Sequence, residues 1–186
     1  DLAPVAVVLG TPSHDGTAAE ILSYVRGKYP IHVATKPKQI FLTAMFSDFP
    51  VLADIETAIK APGEIDAVIS LIPQPTKQFF QGNGGSIKET DAEIAQAMGA
   101  IFAGMGATAA GFDCPHVLVG HWNTTGSLIS ETQILTGVDI EISPDMMALA
   151  NANLVCLGHI HKSQKIKDNI FYSGSLWPNT WGEMES

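Results

Sequence analysis

Cysteine is scarce in this sequence, with only Cys114 and Cys156 in 186 residues. Two thiols make no disulfide framework, and the setting they suggest is reducing and cytoplasmic. Basic residues are also few: ten Lys and Arg against nineteen Asp and Glu give a net charge of -9 and a pI of about 4.9. That balance argues against a surface that coats nucleic acid generally, which is typically basic. It leaves a nuclease open, because metal ions neutralise their local field and a carboxylate-rich site itself adds negative charge. No uninterrupted apolar run is long enough to span a bilayer and no charged-then-apolar leader is seen, so a soluble protein without a membrane partner is expected. Internal repeats and low-complexity tails are missing too. The glycine-rich stretch Gln81 to Ser86 lacks the Gly-Lys-Ser/Thr ending of a phosphate-binding loop and reads as a plain loop.

What is present is a series of apolar strands that end in histidine. Leu154-Val155-Cys156-Leu157-Gly158 runs into His159-Ile160-His161, and Pro115 to Val119 runs into Gly120-His121-Trp122. A third run, Val5 to Leu9, leads through Gly10, Thr11, Pro12 and Ser13 to His14-Asp15-Gly16. Histidine is the commonest metal-ligating side chain and needs no deprotonation near neutral pH. Gly158 allows a sharp turn at the strand end, so that the imidazoles of His159 and His161 can converge on one spot. The plainer interpretation of each is a polar loop after a buried strand, with solvent-facing histidines. Three strands delivering histidine to their carboxyl ends favour a site, because ligands collect at that edge of open α/β sheets.

In order and residue type these motifs resemble the calcineurin-like metallophosphoesterases, and more narrowly the SbcD-type nuclease subunit of double-strand-break repair exonucleases. Gly10 to Asp15 is similar to that family's Gly-Asn-His-Asp turn, Gly120-His121 to its Gly-His, and Gly158-His159-Ile160-His161 to its Gly-His-x-His. Phe171 to Leu176, with Trp181-Gly182-Glu183, is similar to the strand and Gly-Ser turn that follow. The resemblance covers the two ends of the chain, and the middle matches only in layout. Two features depart from it. The family's Asp-x-His and Gly-Asp-x-x-Asp motifs are absent, which implies a fragment, the C-terminal part of a nuclease domain over residues 1–186. Ser13 stands before His14 where the family has a metal-ligating Asn.

The resemblance implies a layered α/β fold of sheets flanked by helices, incomplete at its N-terminus. It also implies a two-metal centre for Mn²⁺, or Mg²⁺, that hydrolyses DNA phosphodiesters in repair. His121 and His159 would hold one ion and His161 the other, while His14 would act as general acid, oriented by Asp15. DNA and an SbcC-type ATPase are the implied partners, and a homodimer is admitted. Without the missing ligands, weak metal binding and little turnover are expected of this chain. Two other classes stay open: a metallophosphoesterase of small phosphate esters or nucleotides, and a non-catalytic binding or dimerisation module.

The rest of the chain reads as alternating strands and helices. A helix is expected from Thr17, with Glu20 completing a capping-box pattern, to Tyr29, with Ile21, Leu22 and Val25 on its apolar face. Strands are expected at Ile31 to Ala34, Gln39 to Thr43, Asp66 to Ile72 and Gly137 to Ser143. Short helices are expected near Val51 to Lys60 and from Pro144 to Ala150, and a long one from Lys88 to Gly111. Trp122 to Ser127 reads as a polar loop at the site, Lys162 as a phosphate contact or a solvated charge, and Trp177 and Trp181 as base-stacking or packing residues. A zinc site from Cys114, His116, Cys156 and His159 is the lesser alternative: Cys156 lies mid-strand, where cysteine behaves as a small hydrophobe, and the spacing fits no compact zinc module.

Overall fold

In the computed structural model, residues 3–11, 18–26, 29, 31–44, 51–76, 91–129 and 140–177 are described. Seven strands form one mixed sheet in the order β10-β11-β9-β6-β5-β3-β4. They are β3 (Lys38–Thr43), β4 (Val51–Ala53), β5 (Ala67–Ile72), β6 (His116–His121), β9 (Leu154–Gly158), β10 (Gln164–Lys167) and β11 (Ile170–Tyr172). The centre, β5-β6-β9-β11, is parallel, while β3, β4 and β10 join antiparallel. The central runs are almost purely apolar: their helix face is buried, while the other face is covered at β5 and β6 and leaves Leu154 and Phe171 exposed. Two short parallel pairs lie apart from this sheet, β1 (Val5–Val8) with β2 (Ile31–Ala34) and β7 (Asn123–Thr124) with β8 (Glu141–Ile142).

Side chains alternate across a strand, so each strand feeds two layers. On one face, Val68, Leu118, Val155 and Leu157 pack against helices α1 (Ile55–Ala58), α2 (Asp91–Ala109) and α3 (Pro144–Ala148). Helix α2 contributes Ile94, Met98, Phe102, Met105 and Ala109, a stripe at helical spacing. Gly106 lets α2 approach the turn after α3: a Cβ there would lie 2.7 Å from the Ala150 carbonyl oxygen. On the other face, Ile40, Ile69, Leu71 and Val119 meet Ala6, Val8 and Ala34 of the β1–β2 pair. The result is a mixed α/β architecture with a seven-stranded sheet between helices and a smaller strand layer.

Several expectations need correction. Val51–Ala53 is a strand paired with β3, and the helix begins only at Ile55, with Asp54 capping the Thr57 amide. The segment after the first strand is a 3-10 helix, Ala18–Tyr24, that buries none of its residues; Ile21 is 66% exposed. Its proposed cap, Thr17, lies outside the described residues. Of the strand expected at Gly137 to Ser143, residues 137–139 lie outside the described residues and Glu141–Ile142 is a strand. Trp122 is not part of a polar loop. It is buried, its ring lies beneath Gly120 where any Cβ would collide with it, and it meets Phe102 edge-on at 5.8 Å.

A candidate metal-binding histidine pair

β6 and β9 are adjacent, parallel and in register, with His121 opposite Gly158. His116, Leu118 and Gly120 point to the helix layer, so His121 points to the β1–β2 face with Val119. The missing side chain of Gly158 makes room for it. A Cβ at Gly158 would lie 2.9 Å from His121 Nδ1.

The chain then turns sharply, but not at the glycine. His159 itself takes the positive φ, at 94°. Left-handed backbone of this kind is uncommon for a residue with a side chain, and costs of order 1–3 kcal/mol. The turn brings the His159 ring against that of His121, with centroids 5.2 Å apart and planes at 73°. Two imidazoles sharing one ion, each bonded at about 2.1 Å, have ring centres about 4.5–5.3 Å apart at ligand angles of about 90–110°. The centroid spacing matches two ligands of one ion and equally an edge-to-face ring contact.

Behind the pair, the Tyr172-Ser173-Gly174-Ser175 turn braces the histidine segment. Ser173 N–H donates to the Leu157 carbonyl at 3.2 Å and Ser175 N–H to the His161 carbonyl at 2.9 Å. Gly174 has φ of 77°, and a Cβ there would come within 2.7 Å of the Ser163 nitrogen. The backbone is thus held on both sides where His159 departs from the allowed regions. Tyr172 adds a tie of its own: its buried hydroxyl donates to the Trp122 carbonyl at 2.8 Å, and burial pushes its pKa up to about 12.

His161 is half-buried two residues on, held through its carbonyl oxygen. Among the described residues, no three His, Cys, Asp or Glu side chains gather closely enough to hold an ion. His14 and Asp15, read as general acid and its orienting partner, lie outside the described residues, as do Ser13 and Trp181. Trp177 is 76% exposed.

A second histidine constellation was not anticipated. His116, at the start of β6, is 4% exposed. Its Nδ1 meets the Ala150 carbonyl at 3.1 Å and its Nε2 meets Ser70 Oγ at 2.7 Å. A carbonyl only accepts, so Nδ1 carries the proton and Nε2 accepts from the serine. Gln39 Nε2 donates in turn to Ser70 Oγ and to the Met105 carbonyl, each at 3.0 Å. The Ser–His spacing is that of a nucleophile and its base. Ser70, however, is fully buried, so this is a satisfied polar chain within the core. Burial, partly offset by the Ala150 bond, pushes the His116 pKa below its ordinary value. Both His116 nitrogens are engaged, which removes it from the zinc alternative. Burial also raises the Cys114 and Cys156 thiols, as suits inert cysteines. The signal in the sequence was slight, a lone serine in the apolar run Ala67–Ile72.

The chain matches no protein-family model and no curated protein. No helix among the described residues is long and apolar enough to cross a membrane.

Proposed function

We propose that the chain is part of a metal-dependent phosphoesterase of the calcineurin-like type, acting on DNA phosphodiesters, with His121 and His159 as ligands of one divalent ion. The observation that carries this reading is the pair itself. Two imidazoles meet at the carboxyl ends of adjacent parallel strands, where ligands collect in α/β sheets. Gly158 clears space for one ring, and an unfavourable backbone at His159 delivers the other. Strain kept at a strand end is expected where geometry serves a function.

The roles of the chain's own residues follow from position. His121 and His159 present neutral nitrogen donors that suit Mn²⁺ or Mg²⁺ when mixed with oxygen ligands. His161 would turn to a second ion, as the resemblance implies. A bound divalent pair supplies a polarised phosphoryl group and a nucleophilic water. His14 would hand a proton to the leaving oxygen, with Asp15 holding its ring. An SbcC-type ATPase and a second copy of the chain are the partners that reading carries with it.

The test is a Mn²⁺ titration followed by NMR of the imidazole signals. Paramagnetic broadening should strike His121 and His159 first and leave His116 sharp; equal broadening of all three, or none, refutes the metal site. Hydrolysis then separates substrates. Mn²⁺-dependent cutting of linear duplex DNA, by this chain or a form extended upstream, should vanish in His14→Ala and His161→Ala. Cleavage of small phosphate esters alone would move the reading to a small-substrate esterase.

A further inference from the structure

The His116 chain takes no part in the proposed chemistry, and its protons have only one arrangement. Both of its ends are carbonyls, which only accept. At one end, His116 Nδ1 holds a proton to meet the Ala150 carbonyl at 3.1 Å, so Nε2 carries the lone pair. Ser70 therefore gives its O–H to that nitrogen across 2.7 Å. At the other end, Gln39 presents its nitrogen to the Met105 carbonyl, and the same nitrogen gives its second proton to Ser70 Oγ. The two ends meet at one joint. Gly106 follows Met105 on α2, and a Cβ on it would lie 2.7 Å from the Ala150 carbonyl oxygen, the acceptor of His116. The chain thus leaves the turn after α3, crosses β6, β5 and β3, and returns to α2 beside that contact, with Gln39 tying β3 to the helix.

A proton on His116 Nε2 upsets this order. The ring then donates at both nitrogens, and Ser70 Oγ faces two donors, the imidazolium and the Gln39 amide. The serine proton is left without its acceptor, a costly position for a fully buried hydroxyl. Turning the Gln39 amide over presents its oxygen to Ser70 and restores that bond, while Nδ1–H keeps the Ala150 carbonyl. The same turn sets the amide oxygen against the Met105 carbonyl. Two acceptors then face each other, and the tie between β3 and α2 is broken.

We infer that His116 is a proton-operated latch: protonated at Nε2, it reverses the Ser70–Gln39 chain and frees the carboxyl-terminal end of α2 from β3. Burial keeps the latch shut at neutral pH, because it holds the His116 pKa below its ordinary value, and acidification opens it. Among the described residues, no charged side chain sets the response in its place. His116 faces Ser70 of β5 and the Ala150 carbonyl, and its backbone N–H meets Asn153 Oδ1 at 2.7 Å. Asp66 and Asp113 act on Cys114, Lys38 of β3 acts on His32, and Asp145 of α3 is bonded to Lys167. On α2, Glu93 lies about three turns before Met105. His121, five residues on, is on the opposite face of β6.

An NMR titration of the whole chain from pH 7.5 to pH 4.5 tests the latch by following the His116 ring and the Gln39 side-chain amide together. One midpoint should fit both. On the acid side the Gln39 amide protons should exchange with water about tenfold faster or more, after correction for pH, while the Phe102 amide of the same helix stays protected. Ser70→Ala removes the middle of the chain, so His116 should still titrate and Gln39 should no longer respond. A Gln39 amide that ignores His116 in the native chain overturns the inference. So does one that still follows it in Ser70→Ala, or unfolding of the sheet before His116 takes its proton. The native titration decides even where the variant fails to fold. Because no ion enters, the outcome is independent of the Mn²⁺ response of His121 and His159.

Discussion

Strand β6 begins and ends in histidine, and the two ends behave in opposite ways. His116 sits on the helix face, buried, with both nitrogens hydrogen-bonded and its charge disfavoured. His121, five residues on and so on the other face, is half-exposed and meets a second imidazole. One residue type thus serves as a neutral brace at the amino end and as a candidate ligand at the carboxyl end. An odd spacing along a strand, and what each face packs against, make that difference.

The comparison can be broken most severely at the buried end. His116→Ala strands Ser70, Gln39 and the Ala150 carbonyl and opens a cavity, so it should cost about 3 kcal/mol in urea unfolding. Mn²⁺ broadening of His121 should survive in whatever fraction remains folded.

A pH series sharpens it next. The lowered pKa of His116 means that the unfolded chain takes up a proton more readily than the folded one. Its contribution is therefore fully present above about 6.5, the unfolded value, and is lost as pH falls through the lower folded value. His32 is depressed in the same sense, by burial first and by Lys38 second, and adds to the slope. The denaturation midpoint should drop between pH 7.5 and pH 5, and His116→Gln should flatten part of that drop. An unchanged slope would mean that His116 titrates normally.

At the other end of the strand, His159 can be relieved of its backbone. His159→Gly suits φ of 94°, whereas His159→Ala keeps the strain, so the glycine variant should be the more stable by about 1 kcal/mol. Both should lose the Mn²⁺ response. The smallest expected effect is on the stability of His121→Ala, within about 0.5 kcal/mol, as for other substitutions outside the core. A large loss there would make His121 a second brace and erase the contrast.

Much of the framework was legible because buried parallel strands are written as apolar runs. β1, β2, β5, β6 and β9 all lie where such runs stand, the antiparallel β3 lies where a strand was expected too, and the long helix covers Asp91–Ala109 among the described residues. Val51–Ala53 was misjudged because a three-residue apolar run carries no period that separates strand from helix. The pairing of His121 with His159 was implied by the family resemblance, but its cause was not. The glycine was expected to make the turn; instead it yields space across the sheet, and the histidine makes the turn. Pairwise facts of that kind depend on register, which adjacent letters do not encode. The same holds for Gln39 and Ser70, which become neighbours of His116 only once β3, β5 and β6 lie side by side.

The outermost strands of the large sheet carry a consequence for the protein in a crowded solution. At one end β4 is only three residues long. At the other, β10 slips register between Lys165 and Lys167, and both lysines stand exposed, salt-bridged to Asp168 and Asp145. A short strand offers little backbone to a newcomer, and a bulged, lysine-bearing one twists and charges the backbone groups it leaves open. Among the described residues, each border of the sheet is therefore a poor template. Replacing those two lysines with threonines would turn one border into an invitation to stack strands between molecules.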